Sequence, residues 1–127
     1  MHEGPLLLPS GHVVFTPPPQ FDLAAAPDVA YELRALLELH PHVAVDLSSV
    51  EFIDSSGLGV LVTCRKLADE WSGELVLCGA ASRIERLLQI TGLDEVFRRY
   101  PDTHSVMPRS AAGSDGSTDT GTVEGVV

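Results

Sequence analysis

The serine hydroxyls of Asp54-Ser55-Ser56-Gly57 are the groups in this chain whose neighbours best suit them to chemistry. A serine oxygen serves either as a nucleophile in covalent catalysis or as an acceptor of a phosphoryl group, and the two uses need different surroundings. A hydrolase nucleophile at a strand-to-helix turn sits in Gly-x-Ser-x-Gly with a histidine in reach. Here the run reads Phe52-Ile53-Asp54-Ser55-Ser56-Gly57-Leu58-Gly59-Val60, and none of His2, His12, His40, His42 and His104 lies in a segment expected to reach Ser56. That argues against acyl transfer and names no catalytic residue. Two readings stay open: an ordinary helix cap and turn, or a functional residue at Ser56.

The elements around the turn explain why it is a junction. Val43-Ala44-Val45-Asp46-Leu47 is a β-branched, apolar run suited to a buried strand, and Val50-Glu51-Phe52-Ile53 leads from it into the turn. From Leu58 the period changes: Leu58, Leu61, Cys64, Ala68 and Trp71 recur at helical spacing, with Arg65, Lys66, Asp69 and Glu70 on the other side. The first amides of such a helix lack internal partners, so Asp54, Ser55 or Ser56 can cap it, and the positive end of the dipole suits a phosphate. Gly57 and Gly59 keep side chains away from whatever approaches.

Elsewhere the chain reads as two further strand and helix units. Leu6-Leu7-Leu8 and His12-Val13-Val14-Phe15-Thr16 suggest short strands around a Pro-Ser-Gly turn, and Pro17-Pro18-Pro19 ends the second or confines it to an edge. Asp22 precedes a helix in which Pro27 fits the first turn and Val29, Leu33, Leu36 and Leu37 form the apolar stripe, stopped by His40-Pro41. Glu74-Leu75-Val76-Leu77-Cys78-Gly79 is a buried strand. Ser82 with Glu85 has capping-box spacing for a helix carrying Ile84, Leu87 and Leu88 inward, with Gly92 as its stop. Asp94 to Tyr100 suggests a short helical turn and a last strand ended by Pro101. The predicted class is α/β: one domain over residues 1–109, with a mixed sheet of about four to five strands covered by three or four helices. Residues 110–127 read as a disordered acidic Gly/Ser/Thr tail.

Composition narrows the partners. A length of 127 residues allows one real core, and a formal charge of −10 with only 8 lysines and arginines argues against nucleic acid. The apolar runs fall short of a membrane span and no basic leader opens the chain, so a cytoplasmic protein without membrane insertion is expected. Cys64 and Cys78 sit in apolar periodic segments, as buried reduced thiols do, and have no metal-ligand spacing. The histidines read as solvated loop residues, so no metal and no cofactor is expected.

The run Val43 to Val60, with Asp-Ser-Ser-Gly-Leu-Gly at its end, closely resembles the signature of the STAS domain, and within that family the anti-sigma factor antagonists. Phe21-Asp22, Leu75-Val76-Leu77-Cys78-Gly79 and Leu87-Leu88-Gln89-Ile90-Thr91-Gly92-Leu93-Asp94-Glu95-Val96-Phe97 fall in register with the same family, so the match covers roughly residues 12 to 101. The segment before the first helix departs from the family's Gly-Glu-Leu-Asp or Gly-Glu-Ile-Asp, since Pro18-Pro19-Gln20-Phe21-Asp22 keeps only the aspartate.

The resemblance implies a binding protein and not an enzyme. It implies that the unphosphorylated form binds an anti-sigma factor, which is also a serine kinase of the histidine-kinase-like ATPase fold, and so releases a sigma factor. Phosphorylation of Ser56 ends the binding and a serine phosphatase restores it; ATP and Mg²⁺ belong to the kinase. The partner-binding residues implied are Asp22, Asp54, Ser55, Ser56, Gly57, Leu58 and Gly59; the residue types leave two roles open for the aspartates, Asp54 orienting the hydroxyl and Asp22 at the adjacent rim, or both as simple caps. STAS domains also serve as unphosphorylated subunits of lipid-transport ATPases or signalling scaffolds, which is the alternative.

Overall fold

A computed structural model describes residues 5–108; the acidic tail expected over residues 110–127 lies outside the described residues. The order is β1 (Val13–Phe15), β2 (Gln20–Phe21), α1 (Ala26–Leu39), β3 (His42–Asp46), β4 (Phe52–Ile53), α2 (Ser55–Glu70), β5 (Glu74–Cys78), α3 (Ser82–Thr91) and β6 (Arg99–Tyr100). Single 3-10 turns occupy Leu93–Glu95 and Thr103–Ser105.

β3 and β5 are apolar on both faces because both are central. The four-stranded sheet has the order β1-β3-β5-β6, every neighbour pair is parallel, and Val43 lies between Val13 and Leu75. The mixed character expected from the sequence is confined to one antiparallel bridge, Leu7 to Val13, where the Pro-Ser-Gly turn folds the chain back. Val43, Val45, Leu75 and Leu77 face the helices and pack with Leu33 and Leu37 of α1, Leu61 and Cys64 of α2, and Ile84 and Leu88 of α3. Ala44, Val76 and Cys78 face the other way and are covered by Leu8 and Val106 from the two ends of the described chain.

Two local expectations change. β2 is a two-residue strand directly after three prolines, too short to carry a pattern, and it pairs in parallel with β4 apart from the main sheet. The capping box expected from Ser82 and Glu85 does not form, because the helix already begins at Ser82 and the capping position falls on Ala81, which has no side chain to offer. Glu85 pairs instead with Arg99 of β6. Gly92 ends α3 in the left-handed region, at φ 78°, as its place in the sequence implies.

Candidate functional site

The β4–α2 junction is built around one carboxylate. Asp54 is extended, and its Oδ1 accepts hydrogen bonds from the backbone N–H groups of Ser56 at 2.9 Å and Gly57 at 3.1 Å. Its Oδ2 accepts from the N–H of Leu23 at 3.1 Å, fastening the segment between β2 and α1 to the start of α2. Both oxygens therefore serve the backbone. Of the two roles open to Asp54, the structure shows the cap: it closes the helix and locks the loop beside it, a role typically worth about 1 kcal/mol. Asp22 is a second cap, accepting from the Ala25 N–H at 3.2 Å.

Ser56 occupies the second position of α2, half-buried, and its Oγ has no hydrogen-bond partner among the described residues. Ser55, one residue earlier, is exposed. Gly57 and Leu58 turn inward: Leu58 belongs to the core, and a Cβ on Gly57 would lie 2.5 Å from the Phe21 carbonyl oxygen. These two are buried and set the position of the helix. Gly59 is the opposite case, exposed and with nothing within 4 Å of where its Cβ would be.

A groove of about 360 Å³ runs between α1 and α2, with Ser56, Gly59, Val60 and Thr63 on one wall and Ala30 and Arg34 on the other. Two large apolar residues of the segments that meet at the Asp54 cap, Leu23 and Phe52, are exposed to solvent. Cys64 lies at the groove floor, and burial pushes its thiol up to about 11, so it stays protonated and unreactive at neutral pH. Cys78, under the other face of the sheet, is likewise raised to about 11 by burial. What the groove offers is an accessible hydroxyl with no internal bond to break, set among small and apolar groups. No group of histidine, cysteine or carboxylate side chains capable of holding a metal occurs among the described residues.

A second polar cluster was hidden in the sequence. His12, read there as solvated, is 0% exposed: its Nε2 is hydrogen-bonded to Glu74 Oε1 at 3.1 Å, and its Nδ1 to the Ser10 hydroxyl at 2.9 Å. Arg98 pairs with the other oxygen of Glu74 and with the Tyr100 hydroxyl. Burial works to raise the Glu74 carboxyl, but the bonds from His12 and the Arg98 charge outweigh it and hold the group below its ordinary value. α2, about 24 Å long at 1.5 Å per residue, separates this cluster from Ser56, so it braces β1, β5 and β6 at the far end. The legible signal was Glu74 opening an otherwise apolar run, since a buried carboxylate demands partners.

A parallel sheet with its helices on one face, and a capped serine at the head of α2, define the class. The STAS domain family model matches residues 7–106, and the chain belongs to that family. Among characterised relatives, the anti-sigma-B factor antagonist of Bacillus subtilis (strain 168) is 34% identical over 78 residues, which is 61% of this chain and 72% of the relative. The anti-sigma F factor antagonist of Paenibacillus polymyxa is 36% identical over 59 residues, 46% of this chain and 50% of the relative. The chain spans about half the length of the Paenibacillus polymyxa relative and of others that it matches. Among solved structures, an anti-sigma-factor antagonist (STAS) domain protein from Planctomyces limnophilus superposes with a TM-score of 0.65 at 28% identity, covering 73% of this chain and 85% of that one.

Proposed function

We propose that this chain is an anti-sigma factor antagonist whose binding is switched off by phosphorylation of Ser56. The observation that carries the reading is the state of the Ser56 hydroxyl: it opens on the α1–α2 groove and holds nothing together. In the transfer, a bond forms from Ser56 Oγ to the γ-phosphorus of ATP as the bond to the β-phosphate oxygen breaks. ADP leaves, and the hydroxyl proton passes to the kinase. The kinase is the anti-sigma factor partner, supplies the nucleotide and Mg²⁺, and is of the histidine-kinase-like ATPase fold; a serine phosphatase reverses the step.

The physical effect follows from charge. The product carries about −1.5 to −2 charges and three acceptor oxygens. Placed in an apolar interface it costs several kcal/mol, enough for a hundredfold loss of affinity. The fold is spared, because no internal bond involves the Ser56 Oγ. Leu23, whose N–H bonds Asp54, and Phe52, two residues before that aspartate, are exposed and fit the apolar part of such an interface, together with Asp22, Ser55 and Gly59 at its rim. The reading places the protein in the cytoplasm, as a regulator with no catalytic group of its own; no described helix is long and apolar enough to cross a membrane.

The test is to recover the protein from its own cells and map phosphate by mass spectrometry. Phosphate on Ser56, and its loss on treatment with a serine phosphatase, supports the switch. An unmodified Ser56 under every condition, with the protein held to transport or scaffold subunits, overturns it in favour of the unphosphorylated STAS subunit.

A further inference from the structure

We propose that phosphoserine at position 56 is paired within its own chain by Arg34, so that modification closes the groove as well as charging it. The inference rests on the reading of Ser56 as the modified residue and names how the chain responds. A phosphate at the head of a helix would ordinarily settle on the free backbone amides. Here the amides of Ser56 and Gly57 are already taken by Asp54 Oδ1, and the carboxylate itself repels a second anion. The phosphate must therefore turn away from Asp54, into the groove.

Of the eight residues that line that groove, Arg34 alone carries a charge. α1 and α2 each lead from the end of one parallel strand to the start of another, so they run in the same direction, and Arg34 lines the same groove as Ser56, near enough to Cys64 for its charge to act on that thiol. Helix side chains lean toward the N-terminus of their own helix, which tilts Arg34 toward Ala30 and the Ser56 end. Its present partner is weak: Glu38, one turn on, at 3.9 Å, with both side chains about 60% exposed (61% and 59%). A dianion with three acceptor oxygens suits the guanidinium fork better than a single exposed carboxylate does. Once paired, the guanidinium lies across the groove between Ala30 and Val60 and covers its apolar floor. Charged groups that act on the phosphate are then Arg34 and Glu38 from α1 and Asp54 from the β4–α2 junction.

The experiment installs phosphoserine at position 56 of the 127-residue chain during synthesis and follows its ³¹P resonance through a pH titration at low salt. The comparison is between the otherwise native sequence and the Arg34→Gln and Glu38→Gln variants, all carrying phosphoserine. Pairing lowers the second ionisation of the phosphate, so Arg34→Gln is expected to raise its midpoint by about 0.5 unit, the size an exposed ion pair supports. Glu38→Gln, which frees Arg34 and removes a negative charge, should lower it. Equal midpoints for the native sequence and Arg34→Gln overturn the pairing. No kinase or partner enters the measurement, so that result leaves the Ser56 switch standing, whereas an unmodified Ser56 in cells removes the switch and leaves the pairing intact as chemistry.

Discussion

Gly57 and Gly59 lie on the same helical turn, yet replacing each with alanine should move stability in opposite directions. A glycine in a helix interior costs about 1 kcal/mol relative to alanine, chiefly through backbone entropy. At Gly59 a Cβ meets nothing within 4 Å, so Gly59→Ala should gain that amount in full. At Gly57 the new Cβ would lie 2.5 Å from the Phe21 carbonyl oxygen and 2.8 Å from Ile53 Cγ1. The first of these is backbone held in the β2–β4 pair and cannot swing aside. Overpacking costs roughly 1–3 kcal/mol, and a 2.5 Å approach to backbone puts Gly57 in the upper part of that range, about 2–3 kcal/mol; less the helix gain, Gly57→Ala is left destabilised by about 1–2 kcal/mol. Urea unfolding followed by circular dichroism, with the slope m held in common, reads both. The two variants should differ by about 2–3 kcal/mol. A Gly59→Ala protein no more stable than the parent, or a Gly57→Ala protein equal to it, refutes the packing argument. Binding should divide them again: Gly59→Ala puts a methyl group on the groove wall beside Ser56, so a more stable protein should hold its partner less well.

Three further outcomes follow from named contacts. Asp54→Ala removes the acceptor of three backbone amides and should lower stability by about 1–2 kcal/mol in thermal unfolding, with Asp54→Asn retaining most of the cap. Ser56→Ala should change stability by less than about 0.5 kcal/mol, since its Oγ holds no bond. Glu74→Gln should cost about 1–2 kcal/mol at neutral pH through loss of the charged pair with Arg98. Because the folded carboxyl is held below its ordinary value of 4.5, its contribution is complete above that value and disappears as pH falls through the lower, folded one. The gap between the parent and Glu74→Gln should therefore narrow as the pH falls below 4.5, and a gap that widens there contradicts the assignment.

The helices and central strands were legible because their burial is periodic. Leu58, Leu61, Cys64 and Ala68 at helical spacing did become the inner face of α2, and the unbroken apolar runs at β3 and β5 did become strands covered on both sides. Asp54 could be named only as one of three possible caps, since the choice depends on Leu23 arriving from 31 residues away. His12 could not be placed at all: its burial depends on Glu74, 62 residues on, and local polarity suggested solvent. The groove wall at Ala30 and Arg34 was equally hidden, because it forms only when α1 lies beside α2. Gly57 and Gly59 show the same limit at short range. Identical in the sequence, one is required by packing and the other is open to solvent.

The central claim is that a phosphate on Ser56, and not a change of fold, releases the partner. The most direct measurement takes the anti-sigma factor of the same genome, purified, and titrates it with the native chain, Ser56→Ala, Ser56→Asp and the chain carrying phosphoserine at 56, with circular dichroism on each. Tight binding is expected for the native chain and Ser56→Ala, at least a hundredfold weaker binding for the phosphoserine form, an intermediate loss for Ser56→Asp, and superimposable spectra for all four. Equal binding by all four, or binding lost only where the spectrum shows the fold lost, would contradict it.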